Sequence, residues 1–390
     1  MNPRHSISFF VAAILFLGIL SACSHKTPYM RADAGHIPEI SVDNADIRQR
    51  ILLIGDAGIP KEREPVLELM EAWASEMPEK TFSVFLGDNI YPNGVPDKND
   101  PFRAEAERRM NAQIAVLANS DSKGIFVPGN HDWAGSKSGG LQILKNQQDL
   151  VIDALGPGSF EPMDGCPGPV SIDLNTARII ALDTQWWLTS GERPEAGCPS
   201  PDEDAVLKEL DRLLATADNR NVIVVVHHPW ATHGSHGGFF TWKDHIFPLT
   251  NAADWLYLPL PIIGSLYPLI TWNVLNRDQD LNGSKNKEMR RRMGEVFSKY
   301  QPLIIAAGHE HSLQLMEGKN GPQYAVVSGS GSEKKVSPVG HGEDTLFAHE
   351  HTGFMAVDIL NNGAVLLRIV EPAAESVVFA KWLKQKSLGG

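Results

Sequence analysis

Phe82-Ser83-Val84-Phe85-Leu86-Gly87-Asp88-Asn89-Ile90-Tyr91 decides the reading of this chain: an apolar run that stops at a glycine and then delivers polar side chains. Four other runs stop in a similar way. Ile51–Ile54 ends in Gly55-Asp56-Ala57-Gly58, and Ile125–Val127 in Pro128-Gly129-Asn130-His131-Asp132. Val222–Val226 ends in His227-His228-Pro229, and Leu303–Ala307 in Gly308-His309-Glu310-His311. Short apolar runs bounded by such punctuation read as buried strands. Ligands of α/β sheets bind beyond the carboxyl ends of the strands, so these five would bring their polar groups to one edge. Taken singly, a Gly-Asp is a turn and a lone buried His is a satisfied core residue. Five together are hard to explain as turns.

Further strands are expected at Val170–Leu174, Arg178–Leu182, Tyr324–Ser328, Phe354–Ile359 and Val365–Ile369. Helical periodicity falls at Pro65–Ser75, Glu105–Ala118, Leu141–Ala154 and Lys287–Tyr300, and most clearly at Asp202–Thr216. Ser200 reads as the cap of that last helix, with Pro201 at its first position and Glu203 completing a capping box. Strands alternating with helices, then a late run of strands, argue an α/β architecture with mixed sheets.

Two carboxylates, an amide oxygen, imidazoles and a phenol are ligands for Fe, Zn, Mn or Ni. Seven such groups exceed one site and fit two metals sharing a bridging carboxylate, an arrangement suited to phosphoryl transfer. The five clusters hold no Ser or Cys nucleophile at elbow spacing, and no Gly-Lys-Ser/Thr phosphate loop occurs, so water activated by metal is the simplest nucleophile.

The order Gly-Asp, Gly-Asp-x-x-Tyr, Gly-Asn-His-Asp, His-x-Pro, Gly-His-x-His resembles the calcineurin-like metallophosphoesterase superfamily. Most of that superfamily opens with Asp-x-His. Here Gly58 replaces that His, and Tyr91 stands three residues after Asp88. That exchange is similar to purple acid phosphatases of the small tartrate-resistant type. The resemblance implies a four-layer α/β/β/α sandwich that hydrolyses phosphate monoesters of small molecules or phosphoproteins. It implies Fe(III) on Asp56, Asp88, Tyr91 and His311. A divalent Fe, Zn or Mn would take Asp88 as bridge, Asn130, His227 and His309. His131 would contact the phosphoryl group or protonate the leaving oxygen, oriented by Asp132. His233 falls near the family's second substrate histidine, with His236 as its competitor. A phosphodiesterase or nucleotide hydrolase on the same scaffold is the first rival reading, and a non-catalytic metal-binding surface protein the second.

The 390 residues carry a net charge of −12, which opposes non-specific nucleic-acid binding. Arg4, the apolar run Phe9–Leu20 and Leu20-Ser21-Ala22-Cys23 resemble a bacterial lipoprotein signal. The expected organisation is a leader over 1–22, a lipidated Cys23 with a tether to 48, the catalytic domain over 49–375 and a tail over 376–390. Such a protein is exported and anchored to a membrane through Cys23. Cys166 and Cys198 then remain as a plausible disulfide, with two free thiols as the plainer alternative. Trp255 to Trp272 is apolar but broken by Pro259, Pro261, Gly264 and Pro268, which disfavours a spanning helix. It reads as an insertion docked over the core, or as a lip touching the membrane. His341, His349 and His351 offer a loop-borne substrate contact or ordinary surface histidines. Arg290-Arg291-Arg292 reads as a solvated helix face.

Overall fold

The computed structural model describes residues 26–385, except 38, 195, 252–254, 261–262, 267–269, 271, 273–276 and 375. Cys23 and the leader lie outside the described residues. In chain order the strands are β1 (Tyr29–Met30), β2 (Ile47–Ile54), β3 (Thr81–Phe85), β4 (Lys123–Phe126), β5 (Val170–Asp173), β6 (Ala177–Ala181) and β7 (Asn221–Val225). They continue as β8 (Ile304–Ala307), β9 (Leu313–Glu317), β10 (Tyr324–Ser328), β11 (Thr345–His349), β12 (Phe354–Leu360), β13 (Val365–Glu371) and β14 (Ser376–Lys384).

Two mixed sheets result. One has the order β14-β13-β12-β2-β3-β4, the other β1-β11-β9-β10-β8-β7-β6-β5. Within the first, β2, β3 and β4 are parallel; within the second, β6, β7, β8 and β10 are parallel. Alternating side chains build the layers. Ile51 and Leu53 meet Ile223, Val225 and Ile304 in a core between the sheets. Leu52 and Ile54 point outward under helices α1 (Pro65–Ser75), α2 (Arg103–Ser120) and α3 (Gly140–Leu155). On the far side Val222 and Val224 pack beneath α5 (Glu203–Ala215) and α7 (Ser284–Tyr300), with the short α4 (Thr184–Leu188) beside them. These are the four layers α/β/β/α. Every strand that carries a polar cluster belongs to a parallel run, with β4 at the rim of its sheet, so β2, β3, β4, β7 and β8 end at one edge.

The chain ends depart from the expected tether and tail. Residues 376–384 form β14, paired with β13 along its length. Phe379 and Leu383 enter the inter-sheet core, while Ala380 and Trp382 pack beneath Ile37, Ile40 and Val42. The expected tether is therefore the cover of the expected tail. Upstream of it, β1 pairs with β11, and Arg31 forks onto Glu317. The capping box also differs: Asp202 caps α5 by accepting from the Ala205 N–H at 2.8 Å. Cys166 and Cys198 are disulfide-bonded, with Cα atoms 5.5 Å apart, joining the two Gly/Pro-rich loops.

Among the described residues of the insertion, Trp272 packs on Gly238 while several other apolar side chains face solvent. The insertion follows α6 (Trp242–Ile246) and a single turn at Pro248–Asn251, and its described part includes a single turn at Ile263–Ser265. Trp255 is 78% exposed, and Tyr257, Leu258 and Leu266 are also exposed. Among the described residues no helix is long and apolar enough to cross a membrane. Of the arginine run, Arg290 is part-buried and holds the Leu281 carbonyl, and Arg292 bridges to Glu203 and Asp204 on α5. Only Arg291 stays on the solvated face, paired along its own helix with Glu288 and Glu295.

Candidate metal centre

The strand ends converge as two triangles of donor atoms. In the first, the Tyr91 hydroxyl donates to Asp56 Oδ1 at 2.7 Å and lies 3.0 Å from His311 Nε2, which is 3.3 Å from the same carboxylate oxygen. In the second, Asn130 Oδ1 is 2.9 Å from His227 Nε2 and 3.0 Å from His309 Nδ1, and the two ring nitrogens are 3.2 Å apart. Asp88 adjoins it, with Oδ1 3.3 Å from His227 Nε2. Asp56, Asp88 and His227 also bring ligand atoms within 4.8 Å of one another.

These edges suit transition metals. Neighbouring ligands about 2.1 Å from an octahedral ion lie about 3 Å apart. The ring protons are placed to match: His227 Nδ1–H donates to the Leu86 carbonyl at 2.8 Å, and His309 Nε2–H to that of Gln279 at 3.0 Å. Each bond fixes a proton on the outer nitrogen and turns the other nitrogen into the triangle, the orientation of a ligating imidazole. The seven residues therefore fit a dinuclear centre.

Backbone geometry aims the carboxylates. Asp56, Asp88 and His309 have φ of 58°, 54° and 67°, in the left-handed region that ordinary residues avoid. Asp56 Oδ2 accepts from the His309 N–H at 2.7 Å, and Asp88 Oδ1 from the His131 N–H at 2.8 Å. Gly129 permits this approach, since a Cβ there would stand 2.2 Å from the Asp88 nitrogen.

Charge is concentrated and buried. Burial raises the Asp88 pKa, but His227 and His131 outweigh it and hold the carboxyl well below its usual range. Burial lowers the His227 pKa, yet Asp88 and Asp56 bring it up to about 9. His309 lies well below the ordinary value through burial and the neighbouring His236, His228 and His227. Burial, then Asp56 and Asp88, push the Tyr91 phenol well above its own. A multiply charged cation beside that phenol reverses the balance and favours phenolate.

Two expected catalytic residues stand elsewhere. Asp132 does not orient the His131 ring. It is fully buried and accepts from the N–H groups of Asn89, Ile90 and Gly129, and from the Asn89 side-chain amide. The His131 ring instead donates from Nδ1 to the Pro92 carbonyl at 2.6 Å, which leaves Nε2 3.9 Å from Asp88 Oδ2. His233 turns away to Asp344, with Nε2 2.7 Å from Oδ1. Its competitor His236 packs on His309, ring centroids 4.0 Å apart, and pairs with Asp280 at 2.7 Å. Of the adjacent pair, His228 is held by Thr184 and Gln279, although a ligand atom of its ring also lies within 4.8 Å of those of His227 and His309.

Sequence reading missed three supporting groups. Glu310 is buried and accepts from the His236 N–H at 2.9 Å and from the Ser235 hydroxyl at 3.2 Å, which seats the loop carrying His236. Its place between the two motif histidines His309 and His311 was the available signal. Gln279 and Pro92 act through backbone carbonyls, which no motif encodes. Asp183 supports loop geometry: it caps α4 and accepts from the Trp133 indole at 2.8 Å.

The profile of the calcineurin-like phosphoesterases matches residues 49–313, so the chain belongs to that family. It is accordingly a phosphoric ester hydrolase by family. Purple acid phosphatase 17 of Arabidopsis thaliana is 22% identical over 322 residues, covering 79% of this chain and 75% of that protein. The fold is similar to that of purple acid phosphatase PPD1 from yellow lupin (Lupinus luteus) seeds, at a TM-score of 0.52 and 15% identity, covering 85% of this chain and 53% of that one. It is also similar to GAP50, the anchor in the inner membrane complex of Plasmodium, at a TM-score of 0.53 and 17% identity, covering 87% and 90%.

Proposed function

We propose that the chain hydrolyses phosphate monoesters at a dinuclear centre, with Fe(III) on Asp56, Asp88, Tyr91 and His311. A divalent Fe, Zn or Mn shares Asp88 and takes Asn130, His227 and His309. The observation that carries this reading is the pair of donor triangles flanking one carboxylate, the first of which contains a phenol. Bound metal would supply Lewis acidity toward the phosphoryl oxygens and acidify water at working pH.

The chain's own residues do the rest. His131 stands at the mouth with Nδ1–H fixed on Pro92, so Nε2 faces the site and can give a proton to the departing alkoxide oxygen. His236, held by Asp280, offers a second donor for a phosphoryl oxygen. Glu310 keeps that loop in register.

The test is metal analysis with parallel monoester and diester assays, together with Tyr91→Phe. Iron-loaded protein should show a visible phenolate-to-iron band that Tyr91→Phe abolishes. Faster turnover of the diester would overturn the monoester reading. A colourless iron-loaded wild type would overturn the assignment of Tyr91. We further propose that the protein is exported and membrane-anchored through a lipidated Cys23, an expectation that rests on Leu20-Ser21-Ala22-Cys23. Metabolic fatty-acid labelling in a bacterial host should mark the wild type and not Cys23→Ala.

A further inference from the structure

His349 ends β11 on one sheet, Glu371 ends β13 on the other, and His351 lies in the crossing between β11 and β12. Their ligand atoms all lie within 4.8 Å of one another. The His349 ring donates from Nε2 to the Lys26 carbonyl at 3.2 Å. Its Nδ1 then faces Glu371 Oε1 at 2.6 Å, while His351 Nδ1 lies 3.4 Å from Oε2. The two imidazoles stack, with centroids 5.1 Å apart and planes within 12°.

A ring nitrogen whose partner nitrogen carries the proton is an acceptor, and so is a carboxylate oxygen. Two acceptors 2.6 Å apart need a positive charge between them, either a second proton or a cation. A proton would account for His349 alone. The second imidazole, turned onto the other oxygen of the same carboxylate, adds a third ligand atom where a proton needs only two. Two His and one Glu are a ligand set for borderline divalent ions, and a backbone carbonyl holding the far N–H is the usual support of a ligating His.

We propose that His349, His351 and Glu371 bind a divalent transition-metal ion of the Zn²⁺ type, separate from the dinuclear centre. Ion binding moves the His351 proton from Nδ1, now shared with the Thr352 carbonyl at 3.0 Å, to Nε2. The edges of 2.6 and 3.4 Å bracket the spacing of neighbouring ligands about 2.1 Å from an ion. Beside the triad lies a cavity of about 460 Å³ lined by His351, Thr352, Glu64, Glu333 and Glu350. Glu333 there is paired with Lys61, and the space leaves room for a water ligand. The ion would staple one sheet to the other and, through Lys26, fasten the N-terminal segment to both.

Zn²⁺ alone is the probe, applied to the full chain by equilibrium dialysis with elemental analysis. Wild type should bind one more ion per chain than His351→Ala, with hydrolytic activity unchanged. Zn²⁺-soaked crystals should show an anomalous peak among His349 Nδ1, His351 Nδ1 and Glu371. His351 is only part-buried, so its truncation spares the fold, and Glu371→Gln serves as a second variant. Equal stoichiometry in wild type and His351→Ala, with no peak at the triad, overturns the proposal and leaves a proton holding the pair. The difference reads this site alone, because the dinuclear ligands are intact in both proteins.

Discussion

Asp132→Ala separates a positioning residue from a catalytic one. Asp132 accepts three buried backbone N–H groups, those of Asn89, Ile90 and Gly129, and no contact joins it to the His131 ring. Alanine leaves all three donors unpaired in the interior. Each costs about 1–3 kcal/mol, so the sum is roughly 3–9 kcal/mol. Total stabilities are about 5–15 kcal/mol, which makes this a severe lesion even after the loop relaxes toward water. The expected result is a loss of at least about 3 kcal/mol in denaturant unfolding. Metal content should fall with it, because the same N–H groups hold the turn from Asp88 to Tyr91. Turnover per metal-loaded chain should change little. A variant that unfolds within about 1 kcal/mol of wild type and keeps its metal, but loses roughly 100-fold or more in kcat, would refute this reasoning. Asp132 would then act on the proton of His131, as the sequence suggested.

His131→Ala should keep its metals and lower kcat by roughly 10²–10⁴-fold, with a smaller loss for substrates whose leaving group needs no proton; loss of metal would show the role misassigned. Removing the Cys166–Cys198 bond, which spans 32 residues, should cost up to about 4 kcal/mol in thermal unfolding of the paired Ser variant, and an unchanged transition would show that its two loops are already pinned. Glu105 hydrogen-bonds Arg108 and Arg109, which lower its pKa to about 2. Its contribution should be present above about pH 4.5 and lost as pH falls through about 2. Because the pair is solvent-exposed, Glu105→Gln should cost no more than about 1 kcal/mol at pH 7, shrinking toward zero in acid unfolding. A cost that persists at low pH would assign it to packing.

The parallel strands and their polar ends were legible because both signals are local. A buried strand is a short apolar run, and a metal donor follows it within four residues, as in Ile54 to Asp56 or Ala307 to His309. The missed strands lacked that contrast. Thr345–His349 is buried on both faces, and Ser376–Lys384 presents apolar side chains to two separate cores. Alternation then vanishes, and only tertiary pairing identifies the strand. His233 and Asp132 failed for another reason. Proximity in sequence to a motif histidine says nothing about side-chain direction, and the positive φ at Asp88 turns the loop so that Asp132 faces backbone N–H groups rather than imidazole.

The left-handed turns at Asp56, Asp88 and His309 bear on how the centre forms. Each costs roughly 1–3 kcal/mol, and such strain persists only where neighbours over-determine it. Here they do. Asp56 donates its N–H to the Gly87 carbonyl at 3.0 Å, and its carboxylate receives the N–H of His309 at 2.7 Å. Asp88 is fixed by the N–H of His131, and the turn after it by Asp132. Protein–protein hydrogen bonds, not metal–ligand bonds, therefore offset the strain. The donors lie at ligating separations because β2, β3, β4, β7 and β8 are held by the core between the sheets and by the two cores under the helices. Binding then meets a largely preformed ligand set, and the barrier to loading lies in moving protons, foremost that of Tyr91.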